Sequence, residues 1–309
     1  MTLTRAGLAA AMIAAAAAWT GGAAVRVSAQ TPWNTGHFPD VELTTQHGER
    51  VRFPDLVKGG TVAIELIYTT CKYVCPLETA RLAQVQTQLG DRMGRDVFFL
   101  SITIDPEYDT PAVLNAYAEK YHAGPGWLFL TGRLADIDLL SKKLGLYAPP
   151  DPENKDGHVA MLLIGNETTG QWIRGSALDN PRVTANMIAG WVGGYPTAPA
   201  TAVRSYAEAR PFPKFSSGQY LFATRCSTCH SLGAEEKMGP NLSTTTRSRD
   251  KDWLARYLAN PDEMLQNGDP LATALLKQYN DLRMPNLGLT RQEIADLLAY
   301  LEEAAPPAP

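Results

Sequence analysis

The stretch Cys226-Ser227-Thr228-Cys229-His230 restricts this chain more than any other. Two thiols at C-x-x-C spacing can add to the two vinyl groups of one haem, and the adjacent His puts an imidazole under the iron. A second pair, in Cys71-Lys72-Tyr73-Val74-Cys75-Pro76, has the spacing C-x-x-x-C. The two pairs hold all four cysteines, so none is left for a structural disulfide between domains.

The chain has 309 residues, too many for one ordinary small domain, and two domains are expected. Its 45% hydrophobic and 19% charged residues are ordinary for a globular protein. With a net charge of −4 and no basic run, nothing suggests nucleic-acid binding, and no nucleic acid is expected as a partner. Residues 1–29 read as a signal peptide, with Arg5 in a positive n-region, an apolar run over 6–19, and Val27-Ser28-Ala29 as the cleavage site. The apolar run falls short of the ~20 residues of a spanning helix. The expectation is therefore an exported, periplasmic protein. The alternative is an uncleaved N-terminal anchor in the inner membrane, with the rest facing the periplasm.

Residues 30–196 alternate between strand and helix patterns. A short hairpin is expected over 38–53. Residues 61–68 form a continuous apolar run, as in a strand buried on both faces. The cysteine pair follows, and Pro76 suits the first turn of a helix over 77–89. Strands are expected over 97–104, 127–131 and 159–164, and helices over 111–121, 134–144 and 181–190. Either Thr110 or Asp109 can cap the second helix. This order implies a mainly parallel sheet flanked by helices. The cysteines then lie where a strand's C-terminal end turns into a helix, whose positive N-terminus favours thiolates. Such a pair can bind a soft metal such as Cu(I), or cycle through a disulfide.

The strand followed by Thr69-Thr70-Cys71-Lys72-Tyr73-Val74-Cys75-Pro76, then Ile104-Asp105-Pro106-Glu107-Tyr108-Asp109-Thr110-Pro111, Gly126-Trp127 and Leu130-Thr131-Gly132, and finally an isolated His158 before a strand, resembles the SCO/SenC family. The resemblance implies a thioredoxin-like α/β domain that binds copper and serves cytochrome oxidase assembly. It also implies Cys71, Cys75 and His158 as the copper ligands, with Asp105 and Asp109 in loops at the same sheet edge. Two thiolates and one imidazole suit Cu(I) and can also hold Cu(II). Other readings stand beside this one. A structural disulfide closing so short a loop adds little stability. A purely redox dithiol remains open, although C-x-x-x-C is not the spacing of ordinary thiol–disulfide exchangers.

Residues 197–213 read as a linker, within a Pro/Gly/Ala/Thr-rich stretch that starts at Gly193. Residues 214–309 form an all-α pattern. Ser216-Ser217 precedes a helix that leads into Cys226. Further helices are expected over 252–258, 261–266 and 271–279. The last, over 291–303, is capped by Thr290 with Glu293 in a capping box. With Gly239-Pro240-Asn241-Leu242 and Arg283-Met284-Pro285, this region is similar to a class I c-type cytochrome. The resemblance implies one covalent haem c on Cys226 and Cys229, with His230 as proximal ligand. Pro240 would offer its carbonyl to His230, and Met284 would be the distal ligand, with Met238 and Met264 as rivals. A thioether in the sixth position suits electron transfer.

The expected function is an exported copper-binding and thiol-redox protein with a built-in haem electron carrier, a metallochaperone rather than an enzyme. Its partners would be the copper subunit of a terminal oxidase or another copper donor or acceptor, and a redox cytochrome or thiol reductase. The alternatives are a thiol–disulfide oxidoreductase coupled to haem, with Cys71 and Cys75 as the catalytic dithiol, and a plain electron-transfer module.

Overall fold

The long apolar runs of the first half form the centre of one sheet. The structure, a computed structural model, describes residues 38–147, 159–192, 214–233, 235 and 237–305. The sheet contains β1 (Glu42–Thr45), β2 (Arg50–Arg52), β3 (Thr61–Ile67), β4 (Val97–Thr103), β5 (Trp127–Gly132), β6 (Met161–Asn166) and β7 (Gln171–Ser176). Its strand order is β2-β1-β5-β4-β3-β6-β7. Only β3–β4 and β4–β5 pair in parallel; the other neighbours are antiparallel. The expected mainly parallel sheet is thus a mixed one. Apolar periodicity reports burial and does not encode strand direction.

Every residue of β3 is buried. Val62, Ile64 and Leu66 face a core shared with α1 (Phe53–Leu56) and α4 (Leu134–Leu144). Ala63 and Ile67 face the opposite core, filled by α2 (Cys75–Leu89), α3 (Pro111–Lys120) and α5 (Pro181–Asn186). Side chains alternate along a strand, so Glu65 belongs to that second face, beneath α2. The helix expected over 181–190 ends earlier, and a π-helix, Met187–Val192, completes the segment. Strand β7 is an edge strand that its polar composition had hidden.

The second half contains α6 (Ser217–Leu221), continued by a π-helical turn Phe222–Cys226, then α7 (Thr245–Ser248), α8 (Lys251–Ala259), α9 (Pro261–Gln266), α10 (Pro270–Gln278) and α11 (Arg291–Glu303). Ser216 caps α6, and the Thr290–Glu293 capping box forms as expected. Helix α6 crosses α11 closely at Gly218, where a Cβ would lie 2.0 Å from the Asp296 carbonyl oxygen, so only glycine fits. Leu221, Phe222, Cys226, Ile294, Leu297 and Leu301 fill the core between them.

The described residues form one compact unit. Met238 and Leu282 of the second half pack on the α2/α3 core. Arg81 on α2 donates to the Thr224 carbonyl, and the Gln84 side chain to that of Thr228 at 3.2 Å.

Candidate functional site

The cysteine loop is held from below. Asp109 is completely buried. Its carboxylate accepts from the Thr69 N–H at 3.1 Å and from the hydroxyls of Thr69 and Thr103. Asp109 therefore ties the segment before Cys71 to the end of β4, and capping of α3 falls to Thr110, which accepts from Val113 N. Asp105 lies in the same loop and donates its N–H to the Thr103 hydroxyl at 3.0 Å.

Cys71 is 6% exposed, and Cys75, the first residue of α2, is fully buried; both are free thiols. The two side chains hydrogen-bond to each other. That bond brings the Cys71 thiol down to about 5, against the opposing effect of burial and with help from the Cys75 and Tyr73 N–H groups and the Tyr68 hydroxyl. Burial and the neighbouring Cys71 charge push Cys75 the other way. At neutral pH the pair is one thiolate supported by one thiol, a soft donor set that fits Cu(I). His158 lies outside the described residues, and among those described no group of three His, Cys, Asp or Glu side chains is placed to hold a metal.

Two carboxyls that the sequence reading did not single out lie in the same core. Burial raises Glu65 to about 7, and Ser101 donates to it at 2.7 Å. Burial, together with the charges of Glu65 and Cys71, raises Glu78 to about 9. A carboxylate inside the apolar run 61–67 was the available signal for Glu65.

A groove beside the cysteines is lined by Thr70, Cys71, Lys72 and Tyr108 of the first half and by Asp281 and Arg283 of the second. Next to it lies a mostly apolar crevice that has His230 and Met284 in its lining. The His230 Nδ1 lies 2.9 Å from the Pro240 carbonyl oxygen. A carbonyl only accepts, so Nδ1 carries the proton and Nε2 keeps its lone pair for a metal. Burial lowers the imidazole's basicity and favours the neutral form a ligand needs. Gly239 packs against this ring: a Cβ there would stand 2.7 Å from His230 Cε1. Cys229 also lines the crevice, and Cys226 is buried beside it in sequence. These residues fit a haem attached at Cys226 and Cys229. Met238 lines the crevice too, whereas Met264 packs in the α8/α10 cluster.

A family model for SCO1/SenC matches residues 31–186, and one for cytochrome c matches residues 215–305. The chain is 35% identical over 111 residues to "Protein SCO2 homolog, mitochondrial" of Bos taurus, across 36% of this chain and 41% of that protein. It is 31% identical over 130 residues to "Protein SCO1 homolog, mitochondrial" of Homo sapiens, across 40% of this chain and 42% of that protein. The chain thus spans about two fifths of the length of these relatives. Among solved structures, Bradyrhizobium japonicum ScoI with copper bound is 26% identical, with a TM-score of 0.42, over 49% of this chain and 97% of that one.

Proposed function

Because the chain belongs to the SCO1/SenC family and carries a cytochrome c domain behind that part, we propose that it is an exported copper-binding and thiol-redox protein with its own covalent haem electron carrier. It acts in the periplasm, in assembly of the copper site of a terminal cytochrome oxidase. Cys71, Cys75 and His158 hold the copper; Cys226, Cys229, His230 and Met284 hold one haem c. Copper in such a site supplies one-electron cycling between Cu(I) and Cu(II), and the haem supplies a one-electron carrier.

The observation that carries this reading is the hydrogen-bonded Cys71–Cys75 pair beside a groove whose other wall belongs to the haem-binding half. The chain's own residues have separate tasks. Asp109 fixes the loop that presents Cys71. The Cys75 thiol supports the Cys71 thiolate. Pro240 fixes the tautomer and ring orientation of His230. Anaerobic titration of the reduced holoprotein with copper tests the assignment. One equivalent is expected to bind, and to be lost in Cys71→Ala. Absence of binding to the reduced protein would overturn it.

The lowered Cys71 thiol also favours a second reading, a thiol–disulfide oxidoreductase coupled to haem. That reading predicts disulfide reductase activity in copper-free protein that survives His158→Ala.

A further inference from the structure

The crevice beside His230 is not closed by the cytochrome half alone. Pro76 and Tyr121, both from the first half, line it together with His230 and Met284. The same two residues also line the groove beside Cys71. We propose that Pro76 and Tyr121 are haem-contact residues, that the haem site is a composite of both domains, and that through this shared wall the state of the Cys71–Cys75 pair sets the reduction potential of the haem. The inference rests on the assignment of a haem to Cys226, Cys229 and His230.

Each cysteine is linked to the crevice by a short path. Cys75 is followed directly by Pro76. Its carbonyl also accepts from the Thr79 hydroxyl at 2.9 Å, and Thr79 Oγ1 lies 3.1 Å from the Tyr117 hydroxyl. Thr79 has spent its one proton on Cys75, so Tyr117 donates to Thr79. Tyr117 in turn hydrogen-bonds Tyr121. A buried chain of hydroxyls therefore runs from the Cys75 backbone to the crevice wall; Tyr117 is 8% exposed and Tyr121 2%. Cys71 is followed by Lys72, whose carbonyl accepts from the Asn286 N–H at 2.9 Å. Asn286 stands two residues after Met284.

Oxidation of the pair tightens this arrangement. The Cys75 S–H bond breaks and one S–S bond forms to the Cys71 thiolate. Two electrons and the Cys75 proton pass to an azo oxidant such as diamide, whose N=N bond becomes HN–NH with its second proton taken from water. The new bond is ~2.05 Å long, shorter than any hydrogen-bonded thiol contact, so the Cys71 loop must shift against α2. That shift acts on Lys72 and hence on the Met284 loop, and on Pro76 and Tyr121 at the wall. Axial ligation and burial are the protein's main controls over haem potential. Coupling of this kind is reciprocal: the haem's oxidation state shifts the thiol couple by the same factor.

The test is spectroelectrochemical titration of the copper-free holoprotein, once with the pair reduced and once after diamide. The expected result is a change of about fivefold or more in the haem's reduction equilibrium, the lower end of ordinary coupling between sites. The Cys71→Ser/Cys75→Ser variant is expected to show no response to diamide. Tyr121→Phe keeps the ring and cuts the hydroxyl chain, and is expected to lose at least half of the response. Tyr121→Ala opens the wall to water and is expected to favour the ferric form about tenfold, a fall of about 59 mV for one electron. A six-coordinate haem whose potential is the same in both thiol states would overturn the inference alone. A chain that carries no covalent haem would overturn the assignment beneath it as well, and the two failures are told apart by the visible spectrum.

Discussion

Asp109→Ala offers a test of how the copper loop is held. Asp109 is buried and receives three donors: the Thr69 N–H and the hydroxyls of Thr69 and Thr103. The hydroxyls can rotate toward other acceptors, but the N–H cannot. A buried donor left without a partner costs about 1–3 kcal/mol, and each lost hydroxyl bond about 0.5–1.5 kcal/mol. The sum is about 2–6 kcal/mol. At about 2–4 °C per kcal/mol for a chain of this size, Tm should fall by roughly 5–20 °C. Thr69 is two residues from Cys71, so a loosened loop should also weaken copper binding, by about 10–100-fold on the scale of other supports behind metal ligands. Thermal melting followed by circular dichroism and competition with a Cu(I) chelator measure the two effects. Asp109→Asn retains one acceptor oxygen and should fall between wild type and Asp109→Ala in both. A variant Asp109→Ala that melts with wild type and holds copper equally well would refute the reasoning.

Other outcomes follow from the same geometry. Met284→Ala should abolish the Met–iron charge-transfer band of the oxidised haem, whereas Met238→Ala should retain it; the reverse would reassign the distal ligand. Gly239→Ala places a methyl 2.7 Å from His230 Cε1, so it should displace the imidazole and alter the haem spectrum and the yield of holoprotein. Burial raises Glu78 to about 9, from an ordinary 4.5, so the folded chain keeps a proton that the unfolded chain releases. The stability tied to that proton is complete below pH 4.5 and drains away as the pH climbs towards 9. Glu78→Gln should therefore flatten the pH dependence and stabilise the protein more at pH 8 than at pH 5, by at most a few kcal/mol; an equal effect at both pH values would count against a proton on Glu78.

The parts of the fold read correctly from sequence are those where one physical constraint acts alone. The apolar run at β3, the proline at the start of α2 and the Thr290–Glu293 box each determine local structure without help from distant residues. Helix α4 has the bounds expected from its periodicity. Strand β7 was missed because Gln171, Arg174 and Ser176 give an edge strand no apolar signature. Strand direction was misjudged because burial looks alike in either pairing. The π-helical turns at 187–192 and 222–226 leave no composition signal. At the candidate site, the two cysteine pairs and His230 stood out by their spacing, whereas Pro240 and Met284 came from the resemblance to a c-type cytochrome; the expected contact of His230 with the Pro240 carbonyl is present. Tyr117, Tyr121 and Glu78 were not, since each resembles an ordinary helix residue until the two halves pack. The shared wall between crevice and groove depends on two surfaces meeting, which no local pattern encodes.

Copper K-edge X-ray absorption of the reduced, copper-loaded holoprotein tests the central claim most directly. The account predicts a first shell of two sulfurs and one nitrogen, with the nitrogen lost in His158→Ala and a sulfur lost in Cys71→Ala or Cys75→Ala. A shell built only of nitrogen and oxygen, or one that these substitutions leave unchanged, would contradict it.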